Sequence, residues 1–221
     1  MPTSTVEDYL KCVLVEEQRN PGALVTMGQI SSALAVAPGT VTAMMKTLAD
    51  SGLVSYEPYS GVLLTPHGKQ LAAHVLRRHR LVELFLVKVM GMDWSDVHPE
   101  AELLEHAVSD RLIERMDEML GHPSVDPHGD PIPDAQGTLE EPILQSLLGC
   151  QLGFRVEVAR VGDQSREFLL LLERRRLKPG SQLQVESRDE VADTVELRLG
   201  TGERMSLGYR AASKILVRPR A

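Results

Sequence analysis

The sequence predicts a mainly α-helical protein whose last third is rich in β-strands. Three observations support this fold class. Apolar residues recur near the 3.6-residue period of a helix over most of the first half of the chain. A glycine-containing turn joins two short helical stretches ahead of a hairpin pattern. Short alternating or apolar runs then follow in the last third, separated by turn residues, as in a small β-barrel. A chain of 221 residues has room for two or three small domains.

The N-terminal region is predicted to begin with three helices. Residues 4–20 form the first helix, with Ser4 or Thr5 as its N-cap. Residues 26–36 form a short second helix, and residues 40–51 form a third whose apolar stripe faces inward. The third helix is a candidate recognition helix, because two short helices joined by a tight turn make a helix-turn-helix.

A turn before the third helix and a hairpin after it complete a DNA-reading pattern. Residues 53–55 and 62–65 are predicted strands, and the segment between them is a small wing. Hydroxyl and methyl groups at the start of a recognition helix can contact base edges, and lysine can contact phosphate. Three helices that merely pack together are the alternative. A helix-turn-helix followed directly by a hairpin is more specific to DNA-binding domains than three helices alone, so the wing favours DNA binding. The candidate DNA-binding residues are Ala37, Pro38, Gly39, Thr40, Thr42, Ala43, Lys46, Tyr59 and Ser60.

The middle of the chain is predicted to hold two longer helices. Thr65 can cap a fourth helix, which runs to about Met90. A fifth helix starts at His98 and is expected to continue to about Met116. Residues 121–138 contain four prolines and three glycines, which predicts an interdomain connector without regular structure.

Five short strands are predicted after the connector, and they favour a small barrel. Turn residues at positions 178–180 and 201–202 separate some of them. The predicted strands are Phe154–Val161, Glu167–Leu172, Gln182–Ser187, Thr194–Leu199 and Lys214–Val217.

Composition narrows the class of protein. The net charge of −7 argues against nonspecific nucleic-acid binding, and residues 76–140 alone hold 14 acidic and 6 basic side chains. No apolar run approaches the roughly 18 residues of a membrane span, and the N-terminus has no signal-peptide pattern. Two cysteines, Cys12 and Cys150, cannot form a disulfide framework. We therefore expect a cytoplasmic protein with no membrane partner.

A first group of potential metal ligands lies in the acidic segment. Glu102, Glu105 and His106 are spaced i, i+3 and i+4, so a helix would present them on one side. Two carboxylates and an imidazole suit a borderline-to-hard divalent cation such as Mn²⁺ or Fe²⁺. A solvated acidic face is the plainer alternative.

A second group precedes the first. His79 and Glu83 are spaced i, i+4 on the predicted fourth helix, and His98 starts the fifth. Asp8 lies at the polar edge of the first helix. Two such groups on consecutive helices favour metal binding over coincidence, although a lone helical histidine usually has no ligand role.

The sequence lacks the common motifs of enzymes. The hydrolase pattern H-x-x-E-H needs histidine where this chain has Glu102, and no nucleophile elbow, P-loop or dinucleotide fingerprint is present. We therefore expect a protein that is not an enzyme. A metal-dependent enzyme or metal-storage protein, and a winged-helix regulator that senses an organic ligand, remain the alternatives.

Three segments carry a family resemblance. Residues 78–86 read RHRLVELFL, residues 102–110 read ELLEHAVSD and residues 121–133 read GHPSVDPHGDPIP. In this order, after a winged helix-turn-helix and before a β-rich tail, they resemble the diphtheria-toxin-repressor and manganese-transport-regulator family across essentially the whole chain.

The resemblance implies a homodimer built from three domains. Residues 1–75 would be a winged helix-turn-helix DNA-binding domain, and residues 76–140 a helical dimerisation and metal-binding domain. Residues 141–221 would be an SH3-like (FeoA-like) domain.

The resemblance also implies two separated metal sites. Iron-type members have methionine and cysteine at the first two primary positions, whereas this chain has Asp8 and Glu102, which favours Mn²⁺ while leaving Fe²⁺ possible. Short manganese-type members have an acid where this chain has Lys11, so a closely paired centre is not expected. Cys12 is expected to be a buried thiol. The primary site would use Asp8, Glu102, Glu105 and His106; the ancillary site would use His79, Glu83 and His98, with Gln164 and Glu167 from the barrel.

These observations give one hypothesis. The chain is expected to be a transcriptional regulator that needs Mn²⁺ or Fe²⁺ to bind DNA. We expect it to repress genes of manganese or iron homeostasis. An ion joining Asp8 to ligands in the middle segment would set the spacing of two recognition helices. A homodimer could then bind successive major grooves of a palindromic double-stranded operator.

Overall fold

The computed structural model describes residues 3–220, and the chain divides into two compact units. The first unit comprises the residues up to His79 together with Leu103–Ile113 and Ile132–Glu140. The second comprises Arg80–Glu102, Glu114–Pro131 and the residues from Glu141 onward.

The first unit contains the predicted winged helix-turn-helix. Its buried core joins the three helices and the hairpin, with Leu10, Ile30 and Met45 among the wholly buried side chains. These residues recur at helical spacing, so each helix buries one apolar face. The elements are α1 (Ser4–Arg19), α2 (Met27–Leu34), α3 (Pro38–Asp50), β1 (Val54–Glu57) and β2 (Gly61–Leu64).

Two helix starts differ from the sequence prediction. The side chain of Thr3, not Ser4 or Thr5, caps α1 by accepting the N–H of Val6. Helix α3 starts at Pro38, because proline suits the first helical position and Ala37 already has extended backbone. The predicted turn before the recognition helix is therefore partly its first turn.

The wing is a two-stranded antiparallel hairpin in which Val54 pairs with Leu64 and Glu57 with Gly61. Tyr59 at its tip has a positive φ of 67° and a fully exposed side chain. At Gly61, a Cβ would lie 2.5 Å from the carbonyl oxygen of Val25, so only glycine fits this close approach.

Helix α4 (Pro66–Lys88) follows the hairpin, and the N–H of Gly68 is capped by the Thr65 hydroxyl as predicted. Among the described residues, no helix combines the length and the apolar character needed to cross a membrane.

The prediction of one continuous fifth helix is wrong. The segment forms two helices, α5 (Val97–Leu104) and α6 (Asp110–Met119). Residues 105–109 leave the helical path between them. The carbonyl of Ser109 accepts the N–H groups of Leu112 and Ile113, so a new helix starts there. Serine followed by aspartate is a favourable helix start, and this overrides a continuous apolar period.

The C-terminal region is a six-stranded antiparallel sheet in the spatial order β3-β8-β4-β5-β6-β7, which matches the predicted β-rich domain. Its core is apolar, with Leu172, Leu197 and Ile215 wholly buried. The strands are β3 (Gln145–Ser146), β4 (Arg155–Val161), β5 (Gln182–Asp189), β6 (Thr194–Leu199), β7 (Arg204–Gly208) and β8 (Ile215–Pro219), with a short helix α8 (Tyr209–Ala212) before the last.

The predicted strand Glu167–Leu172 is wrong, because this segment is part of helix α7 (Arg166–Arg175). Phe168, Leu169 and Leu172 are its buried residues, which is the spacing of one helix face. A run of leucines has high helix propensity and no alternation, so helix formation wins here.

An ion pair ties the loop before α7 to the last strand region. The ammonium of Lys214 donates to the carboxylate of Asp163. Burial alone would raise the pKa of Asp163, but Lys214 and the backbone N–H of Ser165 lower it to about 2. A pKa below that of the unfolded chain means that this carboxylate stabilises the fold above about pH 4 and loses that effect as the pH falls toward 2.

Asp163→Asn is therefore expected to lower the free energy of unfolding by about 1–2 kcal/mol at neutral pH. Denaturant unfolding of wild type and variant across a pH series measures this difference. The difference should shrink toward zero as the pH falls from about 4 to about 2. A gap that stays constant over that range would contradict the assignment.

Candidate metal centre

Three predicted ligands converge within the first unit. The Nε2 atom of His106 lies 2.8 Å from Oδ1 of Asp8 and 3.2 Å from Oε1 of Glu105. One donor atom from each residue lies within 4.8 Å of the others, a spacing that a single metal ion can bridge. Asp8 projects from α1, whereas Glu105 and His106 follow the end of α5.

Glu105 is wholly buried and is paired on both carboxylate oxygens. Its Oε1 accepts from the Lys11 ammonium at 2.6 Å, and its Oε2 lies 2.6 Å from Nδ1 of His79. Burial alone would raise the pKa of Glu105, but His79 and Lys11 lower it. The carboxylate therefore stays ionised, as a metal ligand must.

His106 is held between acids on both ring nitrogens. Its Nδ1 lies 2.7 Å from Oε2 of Glu7, opposite the nitrogen that faces Asp8. Burial lowers the pKa of His106, but Glu7, Asp8 and Glu105 raise it above the usual value. Burial also raises the pKa of Asp8, despite its contacts with His106. Both shifts favour the protonated forms of these groups, so the cluster favours added positive charge, which protons or a metal can supply.

The donor set of this first cluster fits a hard or borderline divalent ion. Carboxylate oxygens and one imidazole suit Mn²⁺ and Fe²⁺. Cys12 is buried as predicted, and burial raises the pKa of its thiol to about 11. This thiol stays protonated at neutral pH and is a poor ligand.

A second cluster lies in the second unit and includes two residues, Asp126 and His128, that the sequence pattern did not predict as ligands. Glu83, Asp126 and His128 are all buried and can each place a donor atom within 4.8 Å of the others. The Nδ1 of His128 lies 3.7 Å from Oε2 of Glu83 and 3.9 Å from Oδ2 of Asp126. Because Nε2 donates to the carbonyl of Trp94 at 2.9 Å, Nδ1 is the nitrogen left for a ligand.

The charge balance of the second cluster also favours a cation. Burial lowers the pKa of His128, but Asp126 and Glu83 raise it to about 10. Without a metal, a buried imidazolium therefore offsets part of the negative charge of the two carboxylates. The spacing Asp-x-His inside the proline-rich connector was the available signal for these residues.

The connector is a packed loop and not the loose linker that its composition predicts. Oδ1 of Asp126 accepts the N–H groups of His128 and Asp130, which fixes a tight turn. Gly129 in this turn has a φ of 87°, and a Cβ there would lie 2.0 Å from the carbonyl oxygen of Ala159. The turn thus holds Asp126 and His128 in place through backbone constraints.

The predicted ancillary ligands are distributed between the units. His98 and Glu83 belong to the second unit, where Nδ1 of His98 lies 3.0 Å from Oε1 of Glu83. The same unit contains Glu102, whose carboxylate lies 3.6 Å from Nε2 of His98. His79 belongs to the first unit, where it contacts Glu105.

The two barrel residues that were expected to reach the ancillary metal have other surroundings. The Gln164 side chain donates to Oδ2 of Asp130 at 2.6 Å. Glu167 is exposed in the first turn of α7. Neither is part of the two clusters described above.

Most of the predicted DNA-contacting residues are exposed. Helix α3 buries Val41, Met45 and Leu48, and its opposite face stays accessible. Thr42 is half-buried, and its hydroxyl donates to the carbonyl of Pro38 at 2.9 Å. The exposed members are Ala37, Pro38, Gly39, Thr40, Ala43, Lys46, Tyr59 and Ser60.

Comparison with protein families accounts for almost the whole chain. Residues 1–62 match the N-terminal DNA-binding domain of iron-dependent repressors. Residues 65–134 match the metal-binding and dimerisation domain of the same repressors. Residues 145–219 match the FeoA domain.

Individual relatives agree with the family match. The chain is 33% identical to the transcriptional regulator MntR of Geobacillus thermodenitrificans over 122 residues, which is 54% of this chain and 83% of that protein. A solved manganese-dependent transcriptional repressor in complex with manganese is 37% identical, with a TM-score of 0.88 over 97% of this chain and 100% of the other. The chain belongs to the iron-dependent repressor family. The structure of ScaR with bound Cd²⁺ is a further family member, 34% identical with a TM-score of 0.78 over 99% of this chain and 100% of the other.

Membership of the iron-dependent repressor family confirms the functional class. The protein is a metal-dependent, DNA-binding transcriptional regulator with a dimerisation domain, and it is not an enzyme. The expected resemblance to the diphtheria-toxin-repressor and manganese-transport-regulator family is confirmed, as is the SH3-like C-terminal domain.

Gly129→Ala is expected to destabilise the turn that carries Asp126 and His128. The added methyl group would meet the Ala159 carbonyl in a backbone conformation that alanine rarely adopts. Gly180→Ala is the matched control, because Gly180 has a φ of 90° but open space around its Cβ position.

Urea unfolding of both variants separates strain from steric clash. Gly180→Ala should cost about 1–2 kcal/mol, and Gly129→Ala should cost about 2 kcal/mol more. Equal losses would mean that the close approach at Gly129 is not a constraint on the fold.

Proposed function

We propose that bound Mn²⁺, with Fe²⁺ as the alternative ion, converts this regulator to its operator-binding form and thereby represses metal-homeostasis genes. The observation that carries the proposal is that Asp8, Glu105 and His106 place donor atoms within 4.8 Å of one another, which one ion can bridge. The relative solved with bound manganese supports the choice of ion. The proposed primary ligands are Asp8, Glu102, Glu105 and His106.

Helix α1 links this proposed site to the DNA-reading helix. Leu10 and Val13 of α1 lie in the same buried core as Met45 of α3. Asp8 lies on α1, so fixing Asp8 against Glu105 and His106 would also restrain the recognition helix. A bound metal would supply the positive charge that holds Asp8, Glu105 and His106 together. Coupling of this kind requires tighter metal binding in the form that fits DNA.

The proposed assembly is a homodimer on a palindromic operator. The division into residues 1–75 for DNA binding, 76–140 for dimerisation and metal binding, and 141–221 for an SH3-like domain remains the proposal from the sequence. Two copies of α3, spaced by the dimer, would enter successive major grooves. The exposed start of α3 and the wing residue Tyr59 would contact the DNA.

A hard donor set supports manganese over softer metals. Asp8 and Glu102 stand where iron-type members have methionine and cysteine, and carboxylates shift preference toward Mn²⁺. Lys11 already pairs with Glu105, which supports one ion at this site rather than a close pair.

A second ion is proposed to bind in the second unit. The buried Nδ1 of His128, with Glu83 and Asp126, supports one ligand set for this ion. The alternative set of His79, Glu83 and His98 shares Glu83 with it, so the two sets compete for one carboxylate.

Asp8→Ala is expected to remove manganese-stimulated operator binding, because the ligand on α1 is lost. Fluorescence anisotropy with the DNA upstream of the protein's own gene, with Mn²⁺ or with chelator, measures the effect. Wild type should bind at least about tenfold more tightly with Mn²⁺. Glu190→Ala, which removes an exposed acid from the barrel, is the control and should respond like wild type. An unchanged manganese response in Asp8→Ala would refute the primary site, and chelator-insensitive wild-type binding would favour an organic effector.

His128→Ala and His98→Ala distinguish the two ligand sets for the second ion. Isothermal titration with Mn²⁺ should show that His128→Ala loses one bound ion per chain, whereas His98→Ala retains it. The reverse pattern would return the second site to His79, Glu83 and His98.

A further inference from the structure

The two nitrogens of His106 face different partners. Nε2 faces Asp8 at 2.8 Å and Glu105 at 3.2 Å, which are two proposed metal ligands. Nδ1 faces Oε2 of Glu7 at 2.7 Å. The ring nitrogens of an imidazole point away from each other, so Glu7 lies on the side of the ring opposite the proposed ion.

We propose that Glu7 is a positioning residue that orients His106 for metal binding without itself contacting the ion. The inference rests on the proposed function of the cluster of Asp8, Glu105 and His106. It adds a residue to which neither the sequence pattern nor the family match gives a role.

The surroundings of Glu7 support a role outside the ligand set. Among residues 3–220, every group of acids and histidines with metal-binding spacing leaves Glu7 out. Its side chain is only 14% exposed, and that of His106 is 19% exposed, so solvent competes weakly for their hydrogen bond.

The hydrogen bond to Glu7 selects the nitrogen that is available to a metal. The Glu7 carboxylate accepts a hydrogen bond at Nδ1, which favours the tautomer with the proton on Nδ1, so the lone pair of the neutral ring stays on Nε2. The same carboxylate makes the imidazole a better donor to a cation, as outer carboxylates do in many metal sites.

Neighbouring positions on one helix give Glu7 and Asp8 different tasks. Consecutive helical residues point about 100° apart, so two adjacent acids of α1 can reach the two edges of one ring. Ligation would replace the Asp8–His106 hydrogen bond, but the Glu7–His106 bond would remain. The ring therefore keeps its orientation relative to α1 in both states.

Four variants test this role by manganese binding alone, measured from the electron paramagnetic resonance signal of free aqueous Mn²⁺. Glu7→Ala should weaken binding at the first cluster by about 10- to 100-fold. Glu7→Gln keeps an oxygen that accepts the Nδ1–H and should recover most of the affinity, to within about threefold of wild type. Asp8→Ala should abolish binding there, and Glu190→Gln is the matched control for loss of one carboxylate charge.

Nitrogen-15 NMR of histidine in the Zn²⁺-loaded protein provides a readout that a purely structural role would not change. Wild type and Glu7→Gln should show a protonated Nδ1 on His106 with Nε2 bound to the metal. Glu7→Ala should show loss of the protected Nδ1 proton.

The outcomes separate this inference from the proposed function. If Asp8→Ala binds Mn²⁺ like wild type, the proposed site itself is wrong. If Asp8→Ala loses the ion but Glu7→Ala keeps wild-type affinity, only the role of Glu7 is overturned. Failure of Glu7→Gln to restore binding would also overturn it, because the accepting oxygen would then not be what matters.

Discussion

The buried carboxylate of Glu105 is the constraint around which the first unit is arranged. A wholly buried charge is costly unless it is paired and hydrogen-bonded. Lys11 and His79 each contact one of its oxygens at 2.6 Å, and His106 lies beside it. The first of these partners comes from α1 and the second from α4, so pairing Glu105 brings separate segments together. A metal ion is one further cation added to an arrangement that already needs positive charge.

The second unit also buries carboxylates, but a tight loop rather than a set of helices holds their partner in place. Its buried acids Glu83 and Asp126 face the imidazole of His128, and the backbone of a tight loop holds two of the three. Glycine at position 129 is required there, because the loop passes close to the carbonyl of Ala159. Rigid backbone geometry positions these donor atoms, whereas paired helices and a turn position those of the first cluster. Both clusters concentrate negative charge, in keeping with the acidic middle of the chain.

Family membership and site geometry answer different questions about this regulator. Membership gives the class of function, with DNA binding, metal binding and dimerisation assigned to successive segments. Geometry gives a route by which metal binding would affect the DNA-reading helix α3, since the proposed ligand Asp8 lies on α1 and α1 shares a core with α3. It also explains why carboxylates dominate the donor set. The only thiol near Asp8 in the sequence, Cys12, is buried and protonated.

Local sequence determined the winged helix-turn-helix, the cap at Thr65 and four of the six strands of the C-terminal sheet, because periodicity, caps and turn residues are local properties. Spacing together with the family resemblance also placed Asp8, Glu105 and His106 in one site. Tertiary structure alone decided that residues 167–172 are helical, that the predicted fifth helix breaks after Leu104, and that the proline-rich connector is a packed loop. It also brought in Glu7, Lys11, Asp126 and His128. Their roles depend on burial and on charge partners many residues away, and a one-dimensional pattern does not contain those distances.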